Sequence, residues 1–193
     1  MAVCCLPNNK ISMGKIFVIS DIWLNRPTDG FSDMSVSGYN NAVIDKWNSK
    51  VGDDDTVYLL GGIGVGDVYD ILCQLNGNIL ILNNFYTNED KKFGQDLKKC
   101  ISKSSVCGVK DRISFLDKQI VVLPDEDCVL SYMCLNEWYG KESGTLCFHG
   151  LNTPTVFHEN NISCNALRNG MAPISIEEVR DVKKMLHSIA TSV

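Results

Sequence analysis

Short apolar runs alternate with helix-like segments through the first half of the chain. Residues 15–21 (KIFVISD), 56–60 (TVYLL) and 78–82 (NILIL) are apolar runs of strand length, and each predicts a buried strand. A helix is predicted between the first two, since apolar residues recur there at helical spacing: Met34, Tyr39, Val43, Ile44 and Trp47. A second helix is predicted over residues 67–75, before the Asn-Gly turn at 76–77.

The sequence pattern changes near residue 106, from which point short apolar runs follow one another closely. SVCGV, RISFL, QIVVL and CVLSYM predict strands with hairpin-type connections, and TLCFH (145–149) and NISCNAL (161–167) add two more. The chain closes with a predicted helix in which Ser175 and Glu178 have capping-box spacing. Strands alternating with helices, followed by a run of strands, predict an α/β layered sandwich with two sheets.

Composition and charge narrow the classes of function. The 193 residues are 45% hydrophobic and 21% charged, which is typical of one globular domain. A net charge of −5 argues against general nucleic-acid binding, although five lysines cluster in the predicted helix KKFGQDLKKCISK: Lys91, Lys92, Lys98, Lys99 and Lys103. A solvated helix face is the simpler interpretation of that cluster.

The ends of the chain and its cysteines predict a cytoplasmic protein with no cofactor. Residues 1–14 lack the pattern of a signal peptide and are interpreted as an N-terminal extension before one domain at 15–193. No apolar run is long enough to span a membrane. The nine cysteines are scattered without a CxxC pair, so zinc-knuckle and thioredoxin-type motifs are not predicted.

Polar and glycine residues follow each of the first three predicted strands. They are Asp21, Gly61-Gly62 and Asn83-Asn84-Phe85. Ligands in open α/β folds bind at the carboxyl ends of strands, so these positions predict a site. The glycines of GGIGVGD do not have GxGxxG spacing, which argues against a dinucleotide fold. A phosphate-binding nest of backbone N–H groups and a plain turn without a ligand are two possible interpretations of this loop.

Several short sequence motifs together give the chain a resemblance to the small calcineurin-like metallophosphoesterases of bacteria and phages. The motifs lie between residues 15 and 180 and are ISD, the NRP at 25–27, the KWN at 46–48, DTVYLLGG, LNGNILILNN, the HG at 149–150 and APISIEEV. Their order and spacing carry the resemblance. It implies a calcineurin-like metallophosphoesterase sandwich: two mixed β-sheets flanked by helices.

The resemblance also implies which residues should hold metal, and most are absent. The family binds two cations through D-x-H, G-D, GNH, a lone His and G-H-x-H, and the cations activate a hydroxide. Asp21 and the ligand-type Asn84 remain, but Trp23 stands at the D-x-H histidine. Gly62 replaces the bridging aspartate and Phe85 replaces the catalytic histidine.

The later motifs are altered in the same way. Tyr132 occupies the position of the family's lone histidine, and His149 matches the histidine that often precedes the two metal ligands of the closing G-H-x-H motif. Leu151 and Thr153 occupy the positions of those two ligands. Since the whole chain has only three histidines, we predict no metal and no catalytic residues. The predicted remnant cleft comprises Asp21, Trp23, Gly62, Asn84, Phe85, Tyr132, His149, Leu151 and Thr153.

The sequence therefore predicts a pseudoenzyme that acts by binding a protein partner. Aromatic residues in the cleft suit a protein hot spot, or they simply fill the space left by the metals. By analogy, an inhibitor or adaptor encoded by a phage is one such role, and a homodimer is another. The alternatives are a weak phosphodiesterase with one metal on Asp21, Asn84 and His149 or Asp67, and a metal-free phosphate or nucleotide sensor using the glycine loop.

Overall fold

The computed structural model describes residues 14–28, 30–84, 87–104, 109–152 and 158–190. Of the predicted N-terminal extension, only Gly14 falls within these ranges. The elements in chain order are β1 (Ile16–Ile19), α1 (Val36–Asn48), β2 (Thr56–Leu59), α2 (Tyr69–Leu72), β3 (Asn78–Leu82), α3 (Asn88–Lys103), α4 (Val109–Arg112), β4 (Ile113–Leu116), β5 (Ile120–Leu123), β6 (Cys128–Ser131), β7 (Leu146–His149), β8 (Asn161–Ser163), β9 (Ile174–Ser175) and α5 (Ile176–Ala190).

The first sheet has five strands in the order β4-β3-β2-β1-β9. Strands β1 to β4 are parallel and β9 is antiparallel to β1. The strands predicted from KIFVISD, TVYLL and NILIL are confirmed as β1, β2 and β3. Parallel neighbours cannot be joined by a short hairpin, and the connections between these strands contain the helices α1 and α2. Sheet and helices share one core: Phe17, Ile19, Val57, Leu59, Ile79 and Ile81 pack with Tyr39, Val43, Trp47, Leu72 and Leu97.

The second sheet has four strands in the order β5-β6-β7-β8. Only β5 and β6 form an antiparallel hairpin, joined through a 3₁₀ turn at Pro124–Glu126. Strands β6, β7 and β8 are parallel neighbours. Both sheets are therefore mixed, and residues from their facing sides form a second core that includes Val18, Tyr58, Leu60, Val121, Leu130, Phe148 and Cys164. The chain is an α/β sandwich of two mixed sheets flanked by helices.

Two predictions for the second half are wrong. The RISFL strand is real, but β4 joins the first sheet in parallel beside β3 instead of forming a hairpin with its neighbour. The end of SVCGV is the start of α4, and the rest of that segment lies outside the described residues. A short apolar run predicts that a strand is buried, but it carries no information about the direction of its partner.

Helix α2 is shorter than the predicted 67–75. The Asp67 carboxylate accepts a hydrogen bond from the Tyr69 N–H (3.1 Å), so Asp67 precedes the helix instead of belonging to it. After Leu72 the chain turns towards the Asn-Gly pair, and Gly77 has a φ of +84°. Gly77 lies directly before β3, where its positive φ allows the turn that leads the chain back into the sheet.

The apolar stripe of α5 is only partly covered. Ser175 Oγ accepts a hydrogen bond from the Glu178 N–H (3.3 Å) at the predicted start of the helix. Ile176 is buried and Val179 packs on the inter-sheet core, whereas Val182, Met185, Leu186 and Ile189 are exposed. In the described part of the chain, no helix is long and apolar enough to cross a bilayer.

We predict that the two ends of α5 respond differently to one substitution. Ile176 is 1% exposed and Ile189 is 58% exposed. Ile176→Ala should lower the free energy of unfolding by about 2–4 kcal/mol, since it leaves a cavity in the core. Ile189→Ala should change it by less than about 0.5 kcal/mol. Urea unfolding followed by circular dichroism measures both, and equal losses would contradict the packing of this helix.

Candidate functional site

The carboxyl ends of β1, β2 and β3 lie side by side at one edge of the first sheet. Asp21 follows β1, and its N–H donates to the Gly61 carbonyl after β2 (2.9 Å). Asn84 follows β3, and its Nδ2 donates to the Leu60 carbonyl (2.5 Å). The predicted meeting of these three strand ends is therefore observed, because parallel neighbours end at the same edge.

The glycine-rich loop runs alongside the loop that follows β1. Trp23 N–H donates to the Gly62 carbonyl and Leu24 N–H to the Ile63 carbonyl, both at 2.9 Å. The Val65 N–H returns a bond to the Leu24 carbonyl (3.0 Å). A side chain at Gly64 would put Cβ 2.9 Å from the Leu24 nitrogen. Close packing of the two backbones therefore accounts for Gly62 and Gly64.

The loop after β1 has an unusual backbone. Asp21, Trp23 and Asn25 all have positive φ, at 58°, 41° and 63°. This conformation is rare for residues other than glycine, and bulky Trp23 is the clearest outlier. The loop is held by Asn25, whose N–H donates to Asn40 Oδ1 (2.9 Å) and whose Nδ2 donates to the carbonyls of Val65 and Asp67. Surrounding hydrogen bonds thus maintain a strained segment at the cleft.

Gly62 lies against Asp21 with no room for a side chain. A Cβ at Gly62 would be 2.6 Å from Asp21 Cα and 2.8 Å from Asp21 Cγ. Gly62 also has a φ of +59°, which is unfavourable for other residues. The resemblance expects a carboxylate at this position, and the observed backbone cannot accommodate one without moving.

Asp21 is a buried carboxylate surrounded by hydrogen-bond donors. Its side chain accepts from Asn165 Nδ2 (2.7 Å) and from the Tyr132 hydroxyl (3.4 Å). Burial raises the pKa of Asp21 to about 6, although the bonds from Tyr132 and Asn165 oppose that rise. Asn165, which also donates to the Gly150 carbonyl (2.9 Å), was not predicted. It lies just beyond β8, so the strand-end rule applied to the second sheet would have indicated it.

Tyr132 occupies the gap between the two sheets at this edge. A Cβ placed on Gly61 or on Gly150 would lie 2.7 Å from the Tyr132 ring. The ring therefore contacts both backbones, and its hydroxyl points at Asp21. A small cavity of about 100 Å³ remains beside it, lined among the described residues by Trp23, Gly61, Gly62, Ile63, Gly64, Leu82, Asn84, Asp90, Phe93 and Tyr132.

Five predicted residues of the remnant cleft come together, and neither His149 nor Leu151 is among the described residues that line the small cavity. Asp21, Trp23, Gly62, Asn84 and Tyr132 meet at this edge. His149 follows Phe148 in β7, so its side chain leaves the opposite face of the strand from the inter-sheet core. Leu151 is half-buried, and its carbonyl accepts from Ser163 Oγ (2.9 Å). Phe85 and Thr153 lie outside the described residues.

His149 is a neutral, buried imidazole. It is 3% exposed, and burial, with a smaller effect of Arg168, lowers the pKa of His149 below its usual value. Its Nδ1 is buried without a hydrogen-bond partner among the described residues. At neutral pH this histidine carries no charge, and it does not line the small cavity beside Tyr132.

The described residues do not fit a pair of metal ions. Across these residues, no three His, Cys, Asp or Glu side chains gather closely enough to hold a metal. The Asn165 amide and the Tyr132 hydroxyl donate hydrogen bonds to the Asp21 carboxylate. In a metal site, cations would instead contact these carboxylate oxygens. Asp67, a predicted alternative ligand, instead accepts the Tyr69 N–H with its carboxylate.

The fold and this edge define an α/β sandwich with a compact, hydrogen-bonded cleft at its strand ends. No family model matches the chain, and no curated protein matches it. Among solved structures, the crystal structure of a protein of unknown function from Aquifex aeolicus is similar to it. The TM-score is 0.57 at 16% identity, over 88% of this chain and 99% of that chain. At this identity the likeness shows the fold alone.

We predict that a carboxylate cannot be returned to Gly62 without unfolding the cleft. Gly62→Asp should lower the free energy of unfolding by more than about 3 kcal/mol, since it combines a positive φ with a collision on Asp21. Gly66→Asp is the matched control, because Gly66 has a φ of +68° and a Cβ added there would have no atom within 4 Å. That control should lose only about 1–2 kcal/mol. Equal losses in urea unfolding would contradict the close contact.

We also predict a pH dependence that belongs to Asp21. The folded state holds this proton up to about pH 6, whereas the unfolded chain releases it near 3.8. The folded state therefore binds more protons between these values, and stability falls as the pH rises through them. The contribution is about 3 kcal/mol for a shift of this size.

Asp21→Asn should remove that fall, because asparagine tolerates positive φ and cannot ionise. Exposed Asp125→Asn is the control and should keep the wild-type slope. Urea unfolding between pH 4 and pH 7.5 measures the three proteins. Parallel pH profiles for wild type and Asp21→Asn would mean that Asp21 has an ordinary pKa.

Proposed function

We propose that this chain is a degenerate calcineurin-like metallophosphoesterase that has no catalytic metal centre and acts by binding a protein partner. The observation that carries the proposal is the contact between Gly62 and Asp21, which leaves no space for a bridging carboxylate. The meeting of Asp21, Gly62 and Asn84 at one sheet edge supports the resemblance, since the family builds its site from these strand ends.

Electrostatics supports the loss of the metals. Two dications close together need several anionic or imidazole ligands to offset their repulsion and dehydration. The described cleft offers two carboxylates: Asp21, whose pKa burial raises to about 6, and Asp90, which accepts the Thr87 N–H. Tyr132 and Asn165 turn donor groups towards Asp21. These donors suit a carboxylate in a packed interior and compete with a cation for the same oxygen atoms.

The size and lining of the cleft favour a protein over a small molecule. Its volume is about 100 Å³, whereas sites for small ligands enclose about 300–1,000 Å³. The guanidinium of Arg26 lies 5.3 Å from the centre of the Trp23 ring at the rim. Trp, Tyr and Arg are the residues most enriched at interface hot spots. One side chain of a partner could enter the cleft while Trp23 and Arg26 contact the surface around it.

Metal content and hydrolysis test the first half of the proposal. Purified protein is dialysed against Mn²⁺, its bound metal is measured, and the same sample is assayed with bis-p-nitrophenyl phosphate. We expect no stoichiometric metal and no turnover above buffer. One or two bound metals per chain, with hydrolysis abolished in Asp21→Asn, would overturn the proposal and favour the phosphodiesterase alternative.

Paired variants test the second half. Trp23→Ala removes the aromatic rim of the cleft. Tyr139→Ala is the matched control, because Tyr139 is 66% exposed and its neighbour Trp138 is bonded to Thr145, at the opposite end of β7 from the cleft. Affinity for a captured partner should fall about tenfold or more for Trp23→Ala and stay unchanged for Tyr139→Ala. Equal affinities, or no partner captured by wild type from cell extract, would contradict a cleft-centred interface.

A further inference from the structure

A second, larger cavity lies between α3, the end of β3 and the loop that joins β4 to β5, and it shares no lining residue with the small cleft. Its volume is about 380 Å³, within the range of small-molecule sites. Among the described residues it is lined by Asn83, Lys91, Gly94, Gln95, Lys98 and Gln119. Although Asn83 is the neighbour of Asn84, none of these six residues lines the small cleft. An inference about this cavity is therefore independent of the proposed function.

The helical repeat of α3 explains one wall of the cavity. Lys91, Gly94, Gln95 and Lys98 are spaced at three, four and seven residues, so they share one face of the helix. Lys91 and Lys98 stand two turns apart, about 10 Å along the axis. Gly94 between them is buried and has no side chain, which leaves a gap flanked by two ammonium groups. The spacing thus produces a recess instead of a continuous row of side chains.

The loop between β4 and β5 forms the opposite wall. The Asn83 N–H donates to the Lys118 carbonyl (2.9 Å), and Asn83 Nδ2 donates to Asp117 Oδ1 (3.0 Å). These bonds attach the end of β3 to the loop that carries Gln119. Lys98 is also held, since its Nζ lies 5.0 Å from the centre of the Phe115 ring. The polar groups of this cavity therefore belong to connected elements and not to isolated surface positions.

The charge of the lining is opposite to that of the whole chain. Two lysines and three amide side chains line the cavity, and no carboxylate belongs to the described lining. Asp117 is the nearest acidic group bonded to the lining, and it contacts Asn83. The net charge of the protein is −5, so this recess is a local cationic site on an acidic molecule. Such a site attracts small anions.

We propose that this cavity binds a small phosphate ester that carries hydroxyl groups, of the sugar phosphate class. Lys91 and Lys98 provide charge-assisted hydrogen bonds to the phosphate. The amides of Asn83, Gln95 and Gln119 both donate and accept, which matches the hydroxyl groups of a sugar. The described lining has no aromatic ring on which a nucleobase could stack. The five lysines of α3 thus divide into two that line a site and three that do not.

Calorimetric titration with ribose 5-phosphate at low ionic strength tests the proposal. The variant Lys91→Gln/Lys98→Gln removes both cavity charges, and Lys92→Gln/Lys99→Gln removes two charges from the same helix outside the lining. Both variants change the net charge equally. Circular dichroism establishes that each is folded. We expect the first to weaken binding about tenfold or more and the second by less than about twofold.

Ribose and inorganic phosphate are the comparison ligands. Ribose should not bind measurably, and inorganic phosphate should bind more weakly than the ester. Equal affinity for phosphate and ester would overturn recognition of the hydroxyl groups. Equal weakening by the two lysine variants would reduce the site to diffuse charge attraction, and no heat at millimolar ester would eliminate it.

Discussion

The contact between the loop after β1 and the loop after β2 is the constraint on which the cleft depends. Backbone hydrogen bonds join Asp21 and Trp23 to Gly61 and Gly62, and the two loops approach more closely than a side chain at Gly62 would permit. The positive φ values of Asp21 and Trp23 follow from this alignment. Asp21 is buried beside this contact, and burial raises the pKa of its carboxyl group to about 6.

The two recesses of the molecule have opposite physical characters. The cleft at the strand ends is small and is closed by the Tyr132 ring, and its two described carboxylates, Asp21 and Asp90, are already hydrogen-bonded. The cavity against α3 is larger, polar and flanked by Lys91 and Lys98. The adjacent residues Asn83 and Asn84 line the larger cavity and the cleft, respectively, at the end of β3.

The strands and helices that have a clear apolar pattern could be predicted from the sequence, whereas several of the strand pairings could not. Strands β1 to β3 and helices α1 and α5 follow from apolar patterning, and helix α3 and the hairpin of β5 and β6 were also predicted. The parallel placement of β4 beside β3, and of β6 to β8, was not. A run of four apolar residues is equally compatible with parallel and antiparallel partners, because burial and not direction determines its composition. Pairing is decided by the length and course of the connections.

The same division holds for the site. The sequence by itself determined that the chain has only three histidines and that Asp21, Gly62 and Asn84 follow successive predicted strands. Only the tertiary structure decided that Tyr132 reaches Asp21, that His149 faces away from the inter-sheet core, and that Asn165 donates to a residue 144 positions earlier. Residue identity and strand ends are local properties of a chain. Which side chains meet depends on sheet order and on the face from which each side chain leaves its strand, and these emerge only when the two sheets pack.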